Sequence, residues 1–288
     1  MFWVKIFSLL SLPALYWIAD YIIYPCARYI VRYRLKLVRK NIGLSFPEKS
    51  QEEQLRIIND FYHHFADLIV EIVYGYRAPK EEMRQRVVFE NLEELEELSR
   101  RTHGSIAYLG HMCNWEWIAD IGNQFSDPNM VEYCVYRRQK SPSSDRMMMA
   151  LRNKRGGECV EKNVLLRKLV ALRHMPHPFM IGLIADQKPS PRSAHIWTRF
   201  LNQETAFLNG GEVLARKFGY GIMFAHITSP QRGYYRVRFK LITEDPSNMP
   251  NEEITLTYAR LMEANIQEQP HMWLWTHNRW KWPRPANQ

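Results

Sequence analysis

The segment 108–117 contains two side chains that suit proton transfer. His111 and Glu116 lie five positions apart. A histidine has an unperturbed pKa of about 6.5, so at neutral pH its imidazole can take a proton from an attacking hydroxyl. A carboxylate beside the ring would hold it in one tautomer and stabilise the imidazolium as it forms. We therefore take His111 as a candidate general base and Glu116 as the carboxylate that orients it.

The elements around this pair decide whether the two side chains can meet. On one continuous helix a separation of five would turn them apart, because one turn takes 3.6 residues. The residues 105–109 are typical of a buried strand, and Asn114 suits the N-cap of a following helix. With His111 in the intervening loop, Glu116 falls in the first helical turn and can face the imidazole. Taken alone, the pair is weak evidence for catalysis, because a hydrogen-bonded loop histidine and a capping glutamate are the more common explanation of this spacing.

The rest of the chain alternates strands with helices. Ser50 and Glu53 form a capping-box pattern ahead of apolar residues at helical spacing, which predicts a long amphipathic helix. Strands separated by helices imply an α/β fold with a single mixed sheet flanked by helices. No internal repeat or interior linker is evident, so we predict one catalytic domain, 41–288. The expected strands are 105–109, 131–136, 179–185, 221–227 and 235–240, and the expected helices are 115–121, 144–152, 164–173, 212–218 and 255–267.

The N-terminal segment is predicted to be a membrane anchor. Residues 2–19 are apolar apart from Lys5, two serines and Pro13. A spanning helix needs about 20 apolar residues. Because Pro13 and Asp20 interrupt the run, a tilted span and a partly inserted hairpin both remain open.

Basic residues follow the apolar segment at helical spacing. Arg28, Arg32, Lys36 and Lys40 recur every four residues and predict one basic side of an amphipathic helix. Such a helix is typical of an anionic membrane surface, and its charge predicts that the following domain faces the cytoplasm. We assign residues 1–40 to the anchor and this basic helix.

Composition limits the other classes of function. The formal net charge is +9, which suits an anionic partner. Zinc-finger, helix-turn-helix and RNA-binding signatures are lacking, so a lipid surface is favoured over nucleic acid. The four cysteines show no CxxC pair, which indicates a reducing compartment. His111 and Glu116 are too few ligands for a metal site, and a covalent acyl-enzyme on Cys113 is disfavoured because adjacent loop side chains seldom converge.

Further motifs extend the pattern around His111. They are His111-x-x-Asn114-Trp115-Glu116, Tyr136-Arg137, Asp186-Gln187 and Trp273-x-Trp275-x-His277-x-Arg279-Trp280-Lys281. In this order and spacing they resemble the lipid A biosynthesis (lauroyl/myristoyl) acyltransferase family, within the lysophospholipid acyltransferases marked by a His-x4-Asp/Glu motif. The resemblance runs from about residue 30 to residue 283 and includes the segment 34–49.

This resemblance implies a glycerolipid acyltransferase-like fold and a bacterial inner-membrane enzyme that faces the cytoplasm. It implies that His111 deprotonates a lipid hydroxyl, which attacks an acyl carrier protein thioester directly, without a cofactor. Arg137 would stabilise the oxyanion or bind a donor phosphate, and Asp186 would orient other groups of the site. The residues that the resemblance implies for substrate binding are Asn114, Trp115, Arg152, Arg155 and Gln187.

One departure leaves the acceptor open. Where the family has a Phe-x-Gly-x-Pro stretch, this chain has Phe200-Leu-Asn-Gln-Glu204, without the glycine or the proline. An aminoacyl lipid, a lysophospholipid or a glycolipid outside the lipid A pathway therefore remains an alternative acceptor. A non-catalytic membrane scaffold, which holds a partner through its basic residues and tryptophans, is the alternative from another functional class.

Overall fold

A seven-stranded mixed sheet forms the centre of the molecule. The computed structural model describes residues 2–138, 141–153, 156–190 and 196–285. The strand order is β1-β9-β8-β2-β5-β3-β4, parallel throughout except for the antiparallel pair β8–β9. Two further strands, β6 and β7, form a separate antiparallel hairpin. The strands are β1 (Val87–Phe89), β2 (Ser105–Leu109), β3 (Val131–Tyr136), β4 (Glu158–Glu161), β5 (Phe179–Ile184), β6 (Ile196–Phe200), β7 (Gln203–Phe207), β8 (Gly221–Gln231) and β9 (Tyr234–Thr243).

Helices cover both faces of this sheet. Tyr108 of β2 stacks on Tyr258 from one face, whereas Ser105 bonds Ser99 on the opposite face. The α-helices are α1 (Phe2–Phe7), α2 (Leu12–Ile18), α3 (Leu35–Ser45), α4 (Gln51–Gly75), α5 (Lys80–Arg86), α6 (Leu92–Arg101), α7 (Trp115–Ile118), α8 (Pro142–Asn153), α9 (Leu165–Leu172), α10 (Gly210–Phe218) and α11 (Glu253–Glu268).

The predicted α/β fold with a mixed sheet is confirmed, and the strands that position the site lie where the sequence places them. β2 and β3 match their predicted bounds. The capping box begins α4, with the Glu53 amide donating to Ser50 Oγ at 3.2 Å and the Ser50 amide donating to Glu53 Oε2 at 2.8 Å. β1, β4, β6 and β7 were not predicted, because β1 has only three residues and the other three have four or five residues that mix apolar with polar side chains.

The predicted membrane-spanning anchor is not supported. Across the described ranges, no helix combines the length and apolar character needed to cross a bilayer. The segment before α3 is divided into α1, α2 and two π-helical pieces, Ala19–Ile23 and Cys26–Ile30. Leu15 and Ala19 are buried against Ala66 and Val70 of α4. Asp20, which interrupts the apolar run, pairs with Arg232 at 2.9 Å. Pro13 lies at the start of α2, after a non-helical segment at residues 8–11, whereas Asp20 lies in helical backbone where α2 passes into the first π-helical piece.

The prediction of one continuous basic helix over residues 28–40 is wrong. Arg32 and Arg34 both adopt a φ of 52°, and α3 begins only at Leu35. Arg28 is buried, with Nε donating to Asn59 Oδ1 at 3.0 Å. A hydrogen-bonded guanidinium that rests against α4 cannot belong to a solvated stripe, so the basic surface begins after Arg28.

Candidate active site

Two neighbouring strands bring His111 and Asp186 together. β2 ends at Leu109 and β5 ends at Ile184, and these two residues are register partners in parallel strands. The residues that follow parallel strands meet at the carboxyl edge of the sheet, where α/β proteins bind their ligands. His111 Nδ1 lies 2.7 Å from Asp186 Oδ1, and the His111 amide donates to Asp186 Oδ2 at 3.0 Å. The carboxylate therefore fixes both the ring and the backbone of His111.

The charge of Asp186 sets the tautomer of this histidine. Burial opposes ionisation of Asp186, but the charge and hydrogen bonds of His111 outweigh it and lower the pKa of Asp186 to about 2. An ionised carboxylate accepts the Nδ1–H, which leaves Nε2 as the basic nitrogen. Gln187 Nε2 lies 3.2 Å from His111 Nε2 and can donate to it. The Gln187 amide thus occupies the position from which a substrate hydroxyl would donate.

The C-terminal tryptophan segment closes the back of this pair. Trp273 Nε1 donates to Asp186 Oδ2 at 2.7 Å. The backbone of the loop after β2 is held to the same segment, since the Leu274 amide donates to the His111 carbonyl at 3.2 Å and the Cys113 amide donates to the Met272 carbonyl at 2.9 Å. The role of Trp273 could not be predicted from its place in a tryptophan-rich segment, because nothing in the sequence shows that it contacts a residue 87 positions away.

The predicted contact between Glu116 and His111 is not found among the described hydrogen bonds, in which Asp186 binds the imidazole instead. The helix start is as expected, because Asn114 Oδ1 accepts from the Trp117 amide at 3.2 Å and Glu116 lies in the first turn of α7. The Glu116 carboxylate instead binds Arg152, whose Nε and Nη2 donate to it at 2.9 and 2.7 Å. A guanidinium offers two parallel donors that match a carboxylate, and Asp186 already occupies Nδ1 of His111.

The Glu116–Arg152 pair is largely buried. The exposed fractions of the two side chains are 9% and 19%. Burial works against the charge of Arg152, but the hydrogen bond and charge of Glu116 outweigh it and raise the pKa of the guanidinium. Trp115 connects this pair to the histidine, since its Nε1 donates to Glu116 Oε1 at 3.2 Å and its ring lies edge-on to His111 with the centroids 4.9 Å apart.

The remaining predicted site residues lie in three different settings. Arg137 is exposed and directly follows β3, the neighbour of β5, so it stands at the same edge of the sheet as Asp186. Asn114 is fully buried, and its Nδ2 donates to Glu71 Oε2 at 2.8 Å. Its whole amide is used within the protein, which is the setting of a helix cap. Arg155 lies outside the described residues.

A narrow cavity of about 60 Å³ lies on the face of the sheet beneath α7. It reaches Leu109 and Ile184, which are two residues from His111 and Asp186. Glu132 also lines it, and burial raises the pKa of this carboxyl to about 8, so it is uncharged at neutral pH. A volume of this size holds about four to six water-sized groups. The apolar residues around it include Ala107, Leu109, Val135, Met180, Gly182 and Ile184.

The segment that departs from the family pattern forms a tight hairpin. Leu201 and Asn202 join β6 to β7 with φ angles of 48° and 61°. Positive φ at both central residues is the geometry of a two-residue hairpin turn. The Leu201 amide donates to Glu263 Oε1 at 2.7 Å, and Asn202 Nδ2 donates to the Ser45 carbonyl at 3.1 Å. This turn is tied to α11 and to the end of α3 rather than to His111.

The site offers few side chains that could bind a metal ion. Within the ranges given above, no three His, Cys, Asp or Glu side chains converge as metal ligands would. His111 and Asp186 bind each other, and Glu116 binds a guanidinium. At this edge His111 Nε2 faces the neutral Gln187 amide, whose place a substrate hydroxyl could take, and Arg137 is exposed. These groups suit proton transfer to or from a substrate, with a positive charge close by.

Comparison with known proteins agrees with this chemistry. The family model described as "Bacterial lipid A biosynthesis acyltransferase" matches residues 1–282. The chain is 22% identical over 264 residues to an Escherichia coli (strain K12) protein named lipid A biosynthesis palmitoleoyltransferase, covering 91% of this chain and 83% of the relative. A Shigella flexneri protein named lipid A biosynthesis acyltransferase matches with the same identity and coverage. The protein therefore belongs to the bacterial lipid A biosynthesis acyltransferase family.

Proposed function

We propose that this protein transfers a fatty acyl chain from an acyl carrier protein thioester to a hydroxyl of a lipid A precursor, with no cofactor. The observation that carries this proposal is the His111–Asp186 pair at the carboxyl edge of the sheet, with Nε2 left as the base. Family membership supports acyl transfer and lipid A as the class of acceptor. The basic surface suits a carrier protein donor, which is acidic by general expectation, because opposite charges steer association.

In the proposed reaction His111 takes one proton from the acceptor hydroxyl and returns it to the leaving thiolate. His111 Nε2 takes the proton of the acceptor hydroxyl while its oxygen attacks the thioester carbonyl. Asp186 stabilises the imidazolium that results. Arg137 stabilises the oxyanion of the tetrahedral intermediate or binds a donor phosphate. When the carbon–sulfur bond breaks, the imidazolium returns its proton to the departing thiolate, so the histidine ends as it began.

The cavity beneath α7 is proposed to receive part of the acyl chain. It opens along the strands that carry the dyad, and its walls are mainly apolar. Each methylene that leaves water for such a site contributes about 0.8 kcal/mol. The Glu116–Arg152 pair also lines it, and its two charges neutralise each other, so the pair is proposed to shape the donor site rather than to orient the base.

The first test is an acyl-transfer assay with the purified protein. A labelled acyl carrier protein thioester and the matching coenzyme A thioester are each incubated with a lipid A precursor or with a total lipid extract, and products are identified by mass spectrometry. We expect acylated lipid A precursor, formed faster from the carrier protein donor. Acylation of another lipid in the extract would replace the acceptor. No product from either donor would favour the membrane scaffold.

We also propose that the N-terminal segment attaches the protein to the surface of the bacterial inner membrane, on the cytoplasmic side. Exposed basic side chains at Arg32, Lys36, Arg39 and Lys40 follow directly after the apolar surface. An apolar surface bordered by positive charge suits the boundary between acyl chains and anionic headgroups. The apolar residues exposed in this part of the chain include Leu9, Trp17, Tyr21, Ile22, Tyr29, Ile30 and Val31.

Attachment to the membrane surface can be measured by co-sedimentation with vesicles. Ile30 and Val31 are 77% and 63% exposed, so we expect the double variant Ile30→Ser/Val31→Ser to bind at least about tenfold more weakly. Leu241→Ser is the matched control, because this residue is 55% exposed on β9. Binding should be stronger to anionic than to neutral vesicles and should weaken in high salt. Equal binding by parent and double variant would reject this attachment surface.

A further inference from the structure

Glu71 is a buried carboxyl with an unusual set of partners. It lies in α4 between apolar residues and is 0% exposed. Its Oε2 accepts from Asn114 Nδ2 at 2.8 Å and from the Tyr235 hydroxyl at 2.6 Å. Its Oε1 accepts from the Tyr16 hydroxyl at 2.7 Å. One side chain thus contacts the N-terminal segment, the central sheet and the loop that carries His111.

No cation balances this carboxyl among its described hydrogen-bond partners. Burial raises the pKa of Glu71 to about 7, against the hydrogen bonds of Tyr235, Tyr16 and Asn114 that lower it, and the charge of Asp67 raises it further. Burying a carboxyl without a cation costs stability. An apolar side chain would pack equally well on this side of α4, so we look for a role of the Glu71 carboxyl other than packing. The titratable groups that interact electrostatically with Glu71 include Tyr16, Asp67, Cys113 and Tyr235. The polar cleft that Glu71 lines also contains Asp20, Asp60, His63, His64, Arg232 and His271.

The contact with Asn114 places Glu71 behind the candidate active site. Asn114 caps α7 and stands three residues after His111, and Glu116 lies two residues further on. The α7 helix is also held to the Glu71 backbone, because Trp117 Nε1 donates to the Glu71 carbonyl at 3.0 Å. Small displacements of positioned groups cost large factors in rate. A side chain that fixes this cap consequently acts on the geometry of the site without touching the substrate.

The contact with Tyr16 connects the same carboxyl to the N-terminal segment. Tyr16 belongs to α2, whose outer side carries the exposed Trp17. The Tyr16 ring is also covered by Arg232, with the guanidinium carbon 4.2 Å from the ring centroid, and Arg232 bridges Asp20 and Asp67. The segment proposed to lie on the membrane is therefore joined to α4 by a network that ends at Glu71.

We propose that Glu71 is a positioning residue that couples the docked N-terminal segment to the loop of residues 110–114. In this arrangement Glu71 holds Asn114, Asn114 holds the start of α7, and Tyr16 completes the hydrogen bonds of the carboxyl only while α2 is docked on α4. The enzyme is then most active when its N-terminal segment is in place. The kinetic consequences rest on the proposed acyl transfer, whereas the structural ones do not.

The test compares Glu71→Gln with Glu71→Leu in the full-length protein. Glutamine keeps the shape and can accept from Asn114 while its amide donates to the Tyr16 hydroxyl, so we expect a turnover number within about threefold of the parent. Leucine leaves Asn114 and two tyrosine hydroxyls unpaired, and we expect a turnover number at least about tenfold lower with little change in KM for the donor. Hydrogen exchange of residues 110–118 should accelerate in Glu71→Leu and stay at the parent rate in Glu71→Gln.

A pH series adds a readout specific to the carboxyl. The folded protein keeps the Glu71 proton up to about pH 7, whereas an unfolded chain loses it near pH 4.3. The stability that Glu71 contributes through this proton is therefore fully present below about pH 4.3 and is lost as the pH rises through 7. Glu71→Gln cannot ionise, so the melting temperature of this variant should rise relative to that of the parent between about pH 4 and pH 7.

Tyr16→Phe and Glu82→Leu complete the test. Tyr16→Phe removes only the N-terminal contact and should accelerate exchange of residues 110–118 to a smaller degree than Glu71→Leu. Glu82→Leu is the control for losing a carboxylate that accepts from a tyrosine hydroxyl, because Glu82 binds Tyr74 and Arg86 and makes no described hydrogen bond to residues 110–118. Unchanged loop exchange in Glu71→Leu would overturn the positioning role. Unchanged exchange in Tyr16→Phe would overturn the coupling to the N-terminal segment. If the parent protein shows no acyl transfer, the proposed function fails, but the two exchange measurements still test the positioning role and the coupling.

Discussion

Replacement of Asp186 by asparagine is expected to lower the turnover number for acyl transfer by about 10²- to 10⁴-fold, close to the loss caused by His111→Ala. Asp186 accepts three hydrogen bonds, from His111 Nδ1, the His111 amide and Trp273 Nε1. Asparagine offers one acceptor oxygen and one NH₂ group. The oxygen should face the two donors that cannot change, the backbone amide and the indole, and the NH₂ should then face Nδ1.

That orientation reverses the tautomer of the imidazole. Nδ1 must accept from the asparagine NH₂, so the ring proton moves to Nε2, which can no longer take a proton from the acceptor hydroxyl. The fold should survive, because the side chain keeps its size and Trp273 keeps its acceptor. Steady-state rates at saturating donor and acceptor, with melting temperatures as the check on folding, measure the effect.

Glu116→Gln is the comparison that separates the two candidate carboxylates. Glu116 binds Arg152 rather than His111, so its replacement should lower the turnover number by less than about tenfold while weakening binding of the donor. If Glu116→Gln instead matched His111→Ala and Asp186→Asn stayed within tenfold of the parent, Glu116 would be the orienting carboxylate after all. Equal and full activity in both variants would reject catalysis by this histidine dyad.

The sequence predicted the local parts of this site well. The strand before His111, the cap at Asn114 and the position of Glu116 in the first turn all follow from short-range rules of periodicity and capping. These rules use residues within a few positions of one another. The sequence also shows that Pro13 and Asp20 interrupt the N-terminal apolar run, but short-range rules do not predict how this segment folds.

The pairings across the fold were beyond such rules. Whether Glu116 meets His111 or Arg152 depends on a residue 36 positions away, and the partner of His111 comes from a strand 75 positions away. Short-range rules favour a carboxylate that is close in sequence, but strand order decides which residues are close in a parallel sheet. Arg28 shows the same limit, because helical spacing assigned it to a solvated surface and Asn59 and Tyr62 bury it.

Gly182 of β5 lines the cavity beneath α7, and its lack of a side chain leaves part of that space open. A Cβ added at Gly182 would lie no closer than 3.9 Å to any surrounding atom, the nearest being Glu132 Oε1. The neighbouring strand residues leave open space there, and that space belongs to the cavity. A Cβ at this position therefore meets no close contact, and a longer side chain built on it would extend into the cavity.

Gly182→Leu is expected to change the preferred length of the acyl donor. The four carbon atoms of the leucine side chain would take most of a cavity that holds about four to six such groups. A long acyl chain would then leave about four methylenes in water, at about 0.8 kcal/mol each, so kcat/KM for that donor should fall by about 10²-fold. A donor shorter by about four carbons does not need this space, and its kcat/KM should stay within about threefold of the parent.

A donor series from eight to sixteen carbons, assayed with one lipid A precursor, measures this shift. Gly210→Leu is the control for adding a leucine, because a Cβ at Gly210 has no atom within 4 Å and α10 begins away from the cavity. An equal loss at every chain length would show that Gly182→Leu disturbs the sheet and not the acyl chain. An unchanged chain-length profile with full activity would place the acyl chain elsewhere on the protein. The His111–Asp186 mechanism would not be affected by that result, because the dyad lies at the edge of the sheet and not within the cavity.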